Sequence, residues 1–527
     1  MGKRKTKTKL NTLPSRLKTS ATSILLGIFI CIPSGNAFAQ TPPGQSQGTQ
    51  ATQLPLSGRT AQSGSVTATQ SSTPGAATTV NTLNPAVQVQ GAYSGSTSGI
   101  SNMPFSGKLS LQDAIRRGLE YNLGAVGLAQ AVRQAHGQTR VARSALLPNL
   151  TGDLAETVQQ TSLAASGFKF KLPGFTLPTI IGPYNYIDLR ARLTQTVVDL
   201  TAWKNYKSAD ESFRANQLSA QDSRDLVVLA VGGAYLSVLA DKARVQSALA
   251  QLDTANALYQ QASQQRAVGV VAQVDVDRSQ VQALTQQQRV TSLRNDLAKQ
   301  KINLARMTGL PPNDQYDLSD DVPFSAAPPI TMEEAFRQAF EQRPDLKAAA
   351  SQVRAAELAR SGARSERLPS LAVNADYGVI GTNPSQSHGT FSVTGTLRFP
   401  IWQGGRTGGD IEQADATLTQ RRAELEDLKL QVEGDIRKVY LDLEAATSEV
   451  EVAQINARVA KETLDLTRQR VEAGVADSVE LVQSQEALAG AELDYIDSVF
   501  AHNVAKLSLA RSMGRAAENL PKFVSTP

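Results

Sequence analysis

Two stretches of the chain carry the hydrophobic spacing of very long helices. From Trp203 to about Gln265 no proline occurs, and nine positions spaced by four and three residues include seven apolar side chains. These positions are Val231, Tyr235, Val238, Lys242, Val245, Leu249, Leu252, Asn256 and Tyr259. Such a seam is typical of a coiled coil, and a helix of about 63 residues is about 95 Å long. We therefore expect a rod rather than a compact core helix.

The same register returns 205 residues later in a somewhat more polar form. Its members are Ile436, Tyr440, Leu443, Thr447, Val450, Gln454, Ala457, Lys461 and Leu464. Helices about half as long are expected at roughly 110–147 and 272–306, so that two short helices placed end to end match one long helix. The chain therefore predicts a wall of antiparallel helices.

Four segments alternate apolar and polar residues with the period of a β-strand. They lie at about 149–160, 186–198, 370–380 and 390–401. Each is flanked by helices rather than by other strands, so no second sheet is available to cover them. We therefore expect the exposed faces of these strands to be covered by something other than this chain.

An internal duplication organises these elements. The heptapeptide 142–148 is echoed at 363–369, both beginning Ala-Arg-Ser and ending Leu-Pro, and Ser110 and Thr331 are matching helix N-caps with acids in the following turn. The predicted layout is a first repeat at 108–310, a linker at 311–330, a second repeat at 331–515 and a tail at 516–527.

The strand count favours an oligomer. Four strands cannot close a barrel, because closed membrane barrels need about eight or more, and unpaired edges are intolerable in a bilayer. Two chains would supply 8 strands and three would supply 12, and an open lumen favours three or more. The expected fold is mainly α with a membrane β-barrel.

The first 39 residues have the pattern of a secretory signal peptide. Basic residues end at Lys18, an apolar run follows at 24–32, and Ala37 and Ala39 precede a cleavage site. The run of about 10 residues is too short to span a bilayer, which takes about 20. Cys31 follows the bulky Ile30, so lipidation is not expected.

Composition and charge exclude several classes of function. The leader holds seven basic residues and no acid, so its removal turns the net charge from +5 to −2 and leaves no case for nucleic-acid binding. The one cysteine is in the leader and the three histidines are far apart in sequence. We therefore expect no catalytic activity, no metal site and no cofactor. Residues 40–107, rich in Gln, Ser, Thr, Gly, Ala and Pro, are expected to form a disordered arm.

The duplicated pattern resembles the TolC family of outer-membrane efflux proteins. The resemblance rests on the paired N-caps Ser110 and Thr331, on the Leu-Pro pairs before the strands, and on the turn motifs 268–270 and 473–475; it covers residues 108 to about 515. It implies a homotrimer with a 12-stranded barrel in the outer membrane of a Gram-negative bacterium and a long periplasmic α-helical barrel. It also implies docking on a periplasmic membrane-fusion adaptor and an inner-membrane pump, of RND, ABC or MFS type, for drug efflux or type I protein secretion.

The helical turns are the expected docking tips. Small apolar residues beside a glycine leave a flat surface on which another helical hairpin can pack, although the glycines also suit a plain turn. The tip candidates are Arg266, Val268, Gly269, Val270, Arg470, Gly474, Val475 and Ala476.

Two acids six residues beyond the turn glycines match positions where the family places acids facing the pore. Three copies of Asp275 and of Glu480 would form rings that attract cations, and a solvated helix face is the alternative. Gln483 stands where the best-known member has a further acid. The barrel lumen candidates are Asp188, Arg190, Arg192 and Arg398.

One different class of function stays open from the sequence alone. An exported coiled-coil scaffold or adhesin without a pore would also need a leader and long helices. The strands with one charged face argue against it, because a scaffold has no use for them.

Overall fold

The computed structural model of the protein describes residues 64–73, 82–98, 105, 107–163, 165, 179–312, 316–320, 324–473, 475–476, 478–514 and 516–518. The signal peptide, its cleavage site, the arm up to residue 63 and most of the enlarged loop at 161–185 lie outside the described residues. So does the turn glycine Gly474.

In each of the two repeats, the described elements follow the order of two short helices, two strands, one very long helix and one helix about half as long. In chain order they are β1 (Val66–Thr73), β2 (Thr82–Val89), β3 (Lys108–Leu109), α1 (Leu111–Tyr121), α2 (Leu123–Ser144), β4 (Asn149–Ser162), β5 (Ile180–Val198), α3 (Leu200–Ala267), α4 (Gln273–Thr308), β6 (Asp317–Leu318), α5 (Met332–Gln342), α6 (Pro344–Ser365), β7 (Ser370–Gly381), β8 (His388–Arg398), α7 (Arg406–Glu472) and α8 (Ser478–Ser512).

Two helices dominate the protein. α3 has 68 residues and α7 has 67, which makes each about 100 Å long. α3 begins directly after β5, where the Asp199 carboxylate accepts a hydrogen bond of 2.9 Å from the amide of Ala202. This cap satisfies one of the free amides of the first turn. Because the helix starts at a strand and ends at a turn, it carries the chain from the sheet to the tip.

The helices that enter the strands are broken, which differs from the expectation of one continuous helix over 110–147. Asn122 adopts extended ψ, its side chain accepts from the amide of Gly124 at 2.9 Å, and a new helix starts there. In the second repeat the break falls at Arg343 before Pro344. Asparagine and proline each favour a helix start over a helix interior, so the two repeats reach the same break with different residues.

The hydrophobic core surrounds the middle of the helices. Val231, Tyr235 and Val238 of α3 are fully buried against α8 and α1. β3 pairs in parallel with β6, which joins the start of the first repeat to the segment expected as a linker. In the described part of the chain, α3 holds the one stretch long and apolar enough to cross a membrane, and 67% of it is buried in the protein. This stretch is therefore core.

The sheet has the order β4-β5-β7-β8, with all neighbours antiparallel. β4 and β5 belong to the first repeat, β7 and β8 to the second, and the central pair β5–β7 joins the two repeats. The outer edges of β4 and β8 have no strand beside them among the described residues.

Part of the segment 40–107, expected to be disordered, is folded. β1 and β2 form an antiparallel hairpin with Val66 opposite Val89. Val66 and Tyr93 are buried, and the Tyr93 hydroxyl lies 3.2 Å from the hydroxyl of Ser223. Average composition hid this hairpin because its few apolar residues alternate along the strands and meet the core on one side, while strand pairing satisfies the backbone.

Candidate functional site

One face of the four-stranded sheet is apolar and exposed. The register places Leu154 opposite Leu189, and Tyr377 opposite Phe391, so large apolar side chains run across all four strands. Phe391 is 79% exposed. Others exposed on this face are Leu150, Val158, Leu193, Val393 and Leu397. An apolar surface of this extent marks a protein or membrane contact.

The opposite face is polar and holds an ion-pair network. The Arg190 guanidinium contacts the carboxylates of Asp188 and Asp376 and lies 3.1 Å from the hydroxyl of Thr390. Arg192 pairs with Asp153 at 3.5 Å. These contacts link all four strands, because Asp153 lies in β4, Asp376 in β7 and Thr390 in β8.

The lumen candidates from the sequence are brought together only in part. All four lie on the polar face, but only Asp188, Arg190 and Arg192 lie close together, because Arg398 stands at the end of β8 opposite Ser370. Asp153 and Asp376 complete the network and were missed. The signal that would have found them is register, since Arg192 is paired with Asp376 in the sheet.

The first helical turn ends α3 with a left-handed glycine. Gly269 has φ +81°, and the amide of Val270 donates to the carbonyl of Gln265 at 2.9 Å. This six-residue bond and the positive φ define a Schellman turn, which L side chains fit poorly. Val268 and Val270 are each at least 70% exposed, and Arg266 lies in the last turn of α3.

The second turn repeats this backbone pattern 205 residues later. The amide of Val475 donates to the carbonyl of Arg470 at 2.9 Å, and that of Ala476 donates to the same carbonyl at 3.3 Å. Val475 is 71% exposed. Each tip turn therefore presents an exposed valine, Val270 or Val475, three residues after the end of its long helix.

The two pore candidates are not isolated carboxylates. The Asp275 carboxylate accepts a hydrogen bond of 2.8 Å from the hydroxyl of Ser478 and lies 3.6 Å from Arg278. Glu480 contacts the guanidinium of Arg470, itself a tip candidate. Ser478 and Arg278 were missed as partners. Because Asp275 lies in the first turn of α4 and Ser478 begins α8, their bond joins the two helical hairpins.

A series of polar contacts between α3 and α8, here called the polar ladder, also connects the two helical hairpins. Arg244 contacts Asp497 at 2.5 Å and Asp241 at 2.5 Å, and burial is the largest influence on the pKa of Asp241, which is raised. One turn farther, the hydroxyl of Ser247 donates to Glu492 at 2.5 Å. The two hairpins are thus held by polar side chains as well as by apolar packing.

Two buried basic residues lie on α8, farther from the tip turn than this ladder. His502 and Lys506 are fully buried. Burial lowers the pKa of His502 to about 4, and the nearby charge of Lys506 contributes a smaller part of this shift. Burial also lowers the pKa of Lys506 to about 8. The Lys506 ammonium donates to the hydroxyl of Ser325 at 2.7 Å and to its carbonyl at 3.1 Å, which fastens the inter-repeat segment to α8.

Comparison with solved structures places this architecture among outer-membrane channels. The Campylobacter jejuni CmeC channel matches with a TM-score of 0.69 at 14% identity, covering 79% of this chain and 89% of that chain. The open state of the Neisseria gonorrhoeae MtrE channel matches with a TM-score of 0.62 at 15% identity, covering 82% and 99%. The fold is that of these channels.

Curated relatives agree with the fold. TolC of Escherichia coli is 22% identical over 343 residues, covering 62% of this chain and 69% of that protein. OprJ of Pseudomonas aeruginosa is 24% identical over 396 residues, covering 73% and 79%. The family model described as outer membrane efflux protein matches residues 126–310 and 335–515, which correspond to the two repeats and together make up more than half of the chain. The chain belongs to the outer membrane efflux protein family.

Proposed function

We propose that three copies of the chain form a 12-stranded outer-membrane barrel that serves as an exit duct. The observation that carries this proposal is the sheet with one exposed apolar face, one charged face and two open edges. In a bilayer every backbone polar group needs a partner, so β4 of one copy must pair with β8 of the next. The apolar face then meets lipid and the Arg190 network lines the lumen, with Arg192 and Arg398 along the same wall.

An exposed stripe on α7 supports the homotrimer. Six large apolar side chains on this helix are 46–69% exposed: Leu430, Leu441, Val452, Ile455, Val459 and Leu466. At 100° per residue these positions fall within about 60° of one another around the helix. A narrow straight stripe of this kind fits a neighbouring helix, and we assign that place to the next copy of the chain.

The helical tips are the proposed docking surface for a periplasmic membrane-fusion adaptor. Arg266, Val268, Gly269 and Val270 form one patch, and Arg470, Gly474, Val475 and Ala476 form the other. Exposed valines next to a tight turn suit the tip of a helical hairpin, because small apolar residues allow close approach. The adaptor would connect the duct to an inner-membrane pump, which supplies the energy for export.

The tip acids are the proposed constriction. Three copies of Asp275 and Glu480 would surround the periplasmic entrance. Pairing of Glu480 with Arg470 and of Asp275 with Arg278 and Ser478 reduces the free charge of each ring. Cation attraction at this entrance is therefore expected to be weaker than that of unpaired rings.

The proposed route to the membrane is export with removal of the signal after Ala39 and no lipid attachment. The mature chain would insert into the outer membrane of a Gram-negative bacterium, with its helices in the periplasm. Drugs, other small molecules or proteins are the substrate classes consistent with a passive duct, because selection lies in the pump.

The test is conductance in a planar bilayer combined with the mass of the purified protein in detergent. A trimer with discrete channels is expected. Val393→Arg places a charge on the apolar face of β8 and should abolish membrane assembly, since an arginine near the bilayer midplane costs about 2–4 kcal/mol per copy. Thr394→Arg, one residue along on the polar face, is the matched control and should assemble with altered conductance. A water-soluble monomer, or equal tolerance of both substitutions, would contradict the proposal.

A further inference from the structure

Two lysines and two aromatic side chains cluster at the start of α3. The ammonium of Lys204 lies 5.1 Å from the ring centroid of Trp203, and that of Lys207 lies 6.0 Å from it. Lys207 is also 5.6 Å from the ring of Tyr206. Positions 203, 204, 206 and 207 fall within about 160° of one another around the helix, so they form one surface, here called the junction cluster.

The junction cluster lies at the depth of a lipid headgroup if the sheet is in the bilayer, so this inference rests on the proposed function. β5 ends at Val198 and Trp203 is five residues later. At 1.5 Å per residue, Lys204 and Lys207 are about 6 and about 10 Å along the helix from Leu200. The interfacial region of each leaflet is about 5–7 Å thick. Helical side chains point toward the helix N-terminus, which here is the sheet.

The part of the chain that the structure describes places no carboxylate against the charge of the cluster. In the described part of the protein, neither Lys204 nor Lys207 has a carboxylate within the 4.0 Å of an ion pair, whereas Arg244, farther along α3, pairs with both Asp241 and Asp497. The Asp199 carboxylate is occupied as the cap of α3. Asp210, the first acid on this face, lies one turn farther from the sheet. The helix N-terminus adds a partial positive charge.

The second repeat has no such cluster, which makes the feature specific to one place. At the offset of 205 residues, Trp203, Lys204 and Lys207 correspond to Gly408, Gly409 and Glu412. Both helices begin next to the sheet, so position alone does not require these residues. Aromatic rings with flanking lysines are the residues that favour a membrane interface.

We propose that the junction cluster binds the headgroup of an anionic phospholipid in the periplasmic leaflet. Trp203, the member of the cluster nearest the sheet, lies among the glycerol and upper acyl groups, and the two ammonium groups contact the phosphate. Each lysine near an anionic membrane surface enriches anionic lipid about fivefold.

The test uses the tryptophan content of the chain, which is two residues, Trp203 and Trp402. Trp402→Phe leaves Trp203 as the single tryptophan, and Trp203→Phe leaves Trp402. Each trimer is reconstituted in phosphatidylethanolamine vesicles with a fixed fraction of phosphatidylglycerol. Acyl chains brominated near the headgroup are placed on one lipid or on the other, and fluorescence quenching is measured.

Trp203 is expected to be quenched by both lipids, with a severalfold preference for brominated phosphatidylglycerol per mole. The preference should fall to one in Lys204→Gln/Lys207→Gln, and should fall with added salt in the unsubstituted cluster. The salt titration keeps the test decisive if the double variant does not form trimers. Trp402 is the control and should be quenched to the same extent with and without the lysines.

Three results would overturn the inference. Equal quenching of Trp203 by both lipids would remove the headgroup preference. Trp203 unquenched while Trp402 is quenched would place the cluster in the lumen or against a second copy, with membrane insertion intact. Quenching of neither tryptophan would refute the proposed function itself.

Discussion

The two repeats preserve a hydrogen bond that lies far from the tip turns and from the four-stranded sheet. The hydroxyl of Tyr235 in α3 donates to the carbonyl of Leu109 at 3.1 Å, and that of Tyr440 in α7 donates to the carbonyl of Ile330 at 2.8 Å. Each acceptor immediately precedes a helix N-cap, Ser110 or Thr331. The duplication therefore extends to the contact that holds the start of each repeat against its long helix.

Their surroundings differ. Tyr235 is fully buried and also lies 3.2 Å from the carboxylate of Asp320, whereas Tyr440 is only partly buried. α3 buries a continuous apolar block near this tyrosine, while α7 leaves an apolar stripe exposed. The comparison teaches that one copy of the repeat supplies the core of the protomer, while the other leaves an apolar surface exposed for the proposed assembly.

The largest effect is expected on the exposed stripe of α7. Leu441→Lys should abolish the trimer, because burying an unpaired ammonium between helices costs several kcal/mol in each copy. The mass of the detergent-extracted protein measures this. Gln454→Lys, exposed on another face of α7, should leave the trimer intact. If Leu441→Lys forms trimers in normal amount, the exposed stripe of α7 faces something other than a second copy of the chain.

The paired tyrosines should differ in their contribution to stability. Tyr235→Ala should lower the free energy of unfolding by about 3–5 kcal/mol, the usual cost of removing a buried aromatic ring. Tyr440→Ala should cost about half as much because the ring is partly exposed. Thermal unfolding in detergent, followed by circular dichroism, compares the two variants. Equal losses would refute the division into a core copy and an assembly copy.

The repeats also differ in their response to acid, through His502. The corresponding position of the first repeat is Leu297. The pKa of His502 is about 4 in the folded protein against about 6.5 for a free imidazole, so the unfolded chain binds more protons between these values. The contribution of the neutral histidine is therefore present above pH 6.5 and is lost as pH falls toward 4.

The expected loss over that window is about 3 kcal/mol, because each unit of difference in pKa corresponds to about 1.4 kcal/mol. His502→Leu should remove it, so that the unfolding midpoint of the variant changes less between pH 7 and pH 4 than that of the parent. Lys301→Gln is a control that should keep the pH dependence of the parent. Lys301 corresponds to Lys506 at the repeat offset, but it is more exposed and pairs with Asp317 at 3.4 Å. An unchanged pH dependence in His502→Leu would contradict burial of a neutral imidazole.

The smallest effect is expected at the tip acids. Asp275→Asn and Glu480→Gln together should lower cation selectivity and weaken block by divalent cations about twofold to threefold, because both carboxylates are already partly neutralised by their partners. Single-channel recording measures both properties. Arg470→Gln frees the Glu480 carboxylate and should shift selectivity in the opposite direction. If conductance and block are unchanged in every variant, these acids play no part in the entrance.

Several features could be predicted from the sequence because their causes are local. Helix spacing in α3 and α7, alternation in the four strands and the caps at Ser110 and Thr331 depend on residues within a few turns of one another. The likeness of the two repeats is likewise visible in the chain itself. Family membership followed from the order of these elements.

Other features were missed because their causes are distant in sequence. The hairpin of β1 and β2 has no strong hydrophobic signal. Tyr93 is fixed by Ser223 and by the side-chain amide of Asn122, which donates to the carbonyl of Tyr93 at 2.7 Å. A Cβ at Gly124 would come within 2.3 Å of the Tyr93 ring, so a glycine in one helix admits a side chain from the arm. No hydrophobic periodicity in the arm indicates that Gly124 leaves room for the Tyr93 ring.

By itself, the sequence determined the two long helices, the four strands of the sheet with their apolar and polar faces, and the duplication of the unit. Periodicity and capping act over a few residues, so they can be read along the chain. The tertiary structure alone decided that Arg190 meets Asp376, that Asp275 meets Ser478, and that part of the arm packs on the core. These contacts depend on sheet register and helix packing between distant segments, which set side-chain distances that local spacing does not encode.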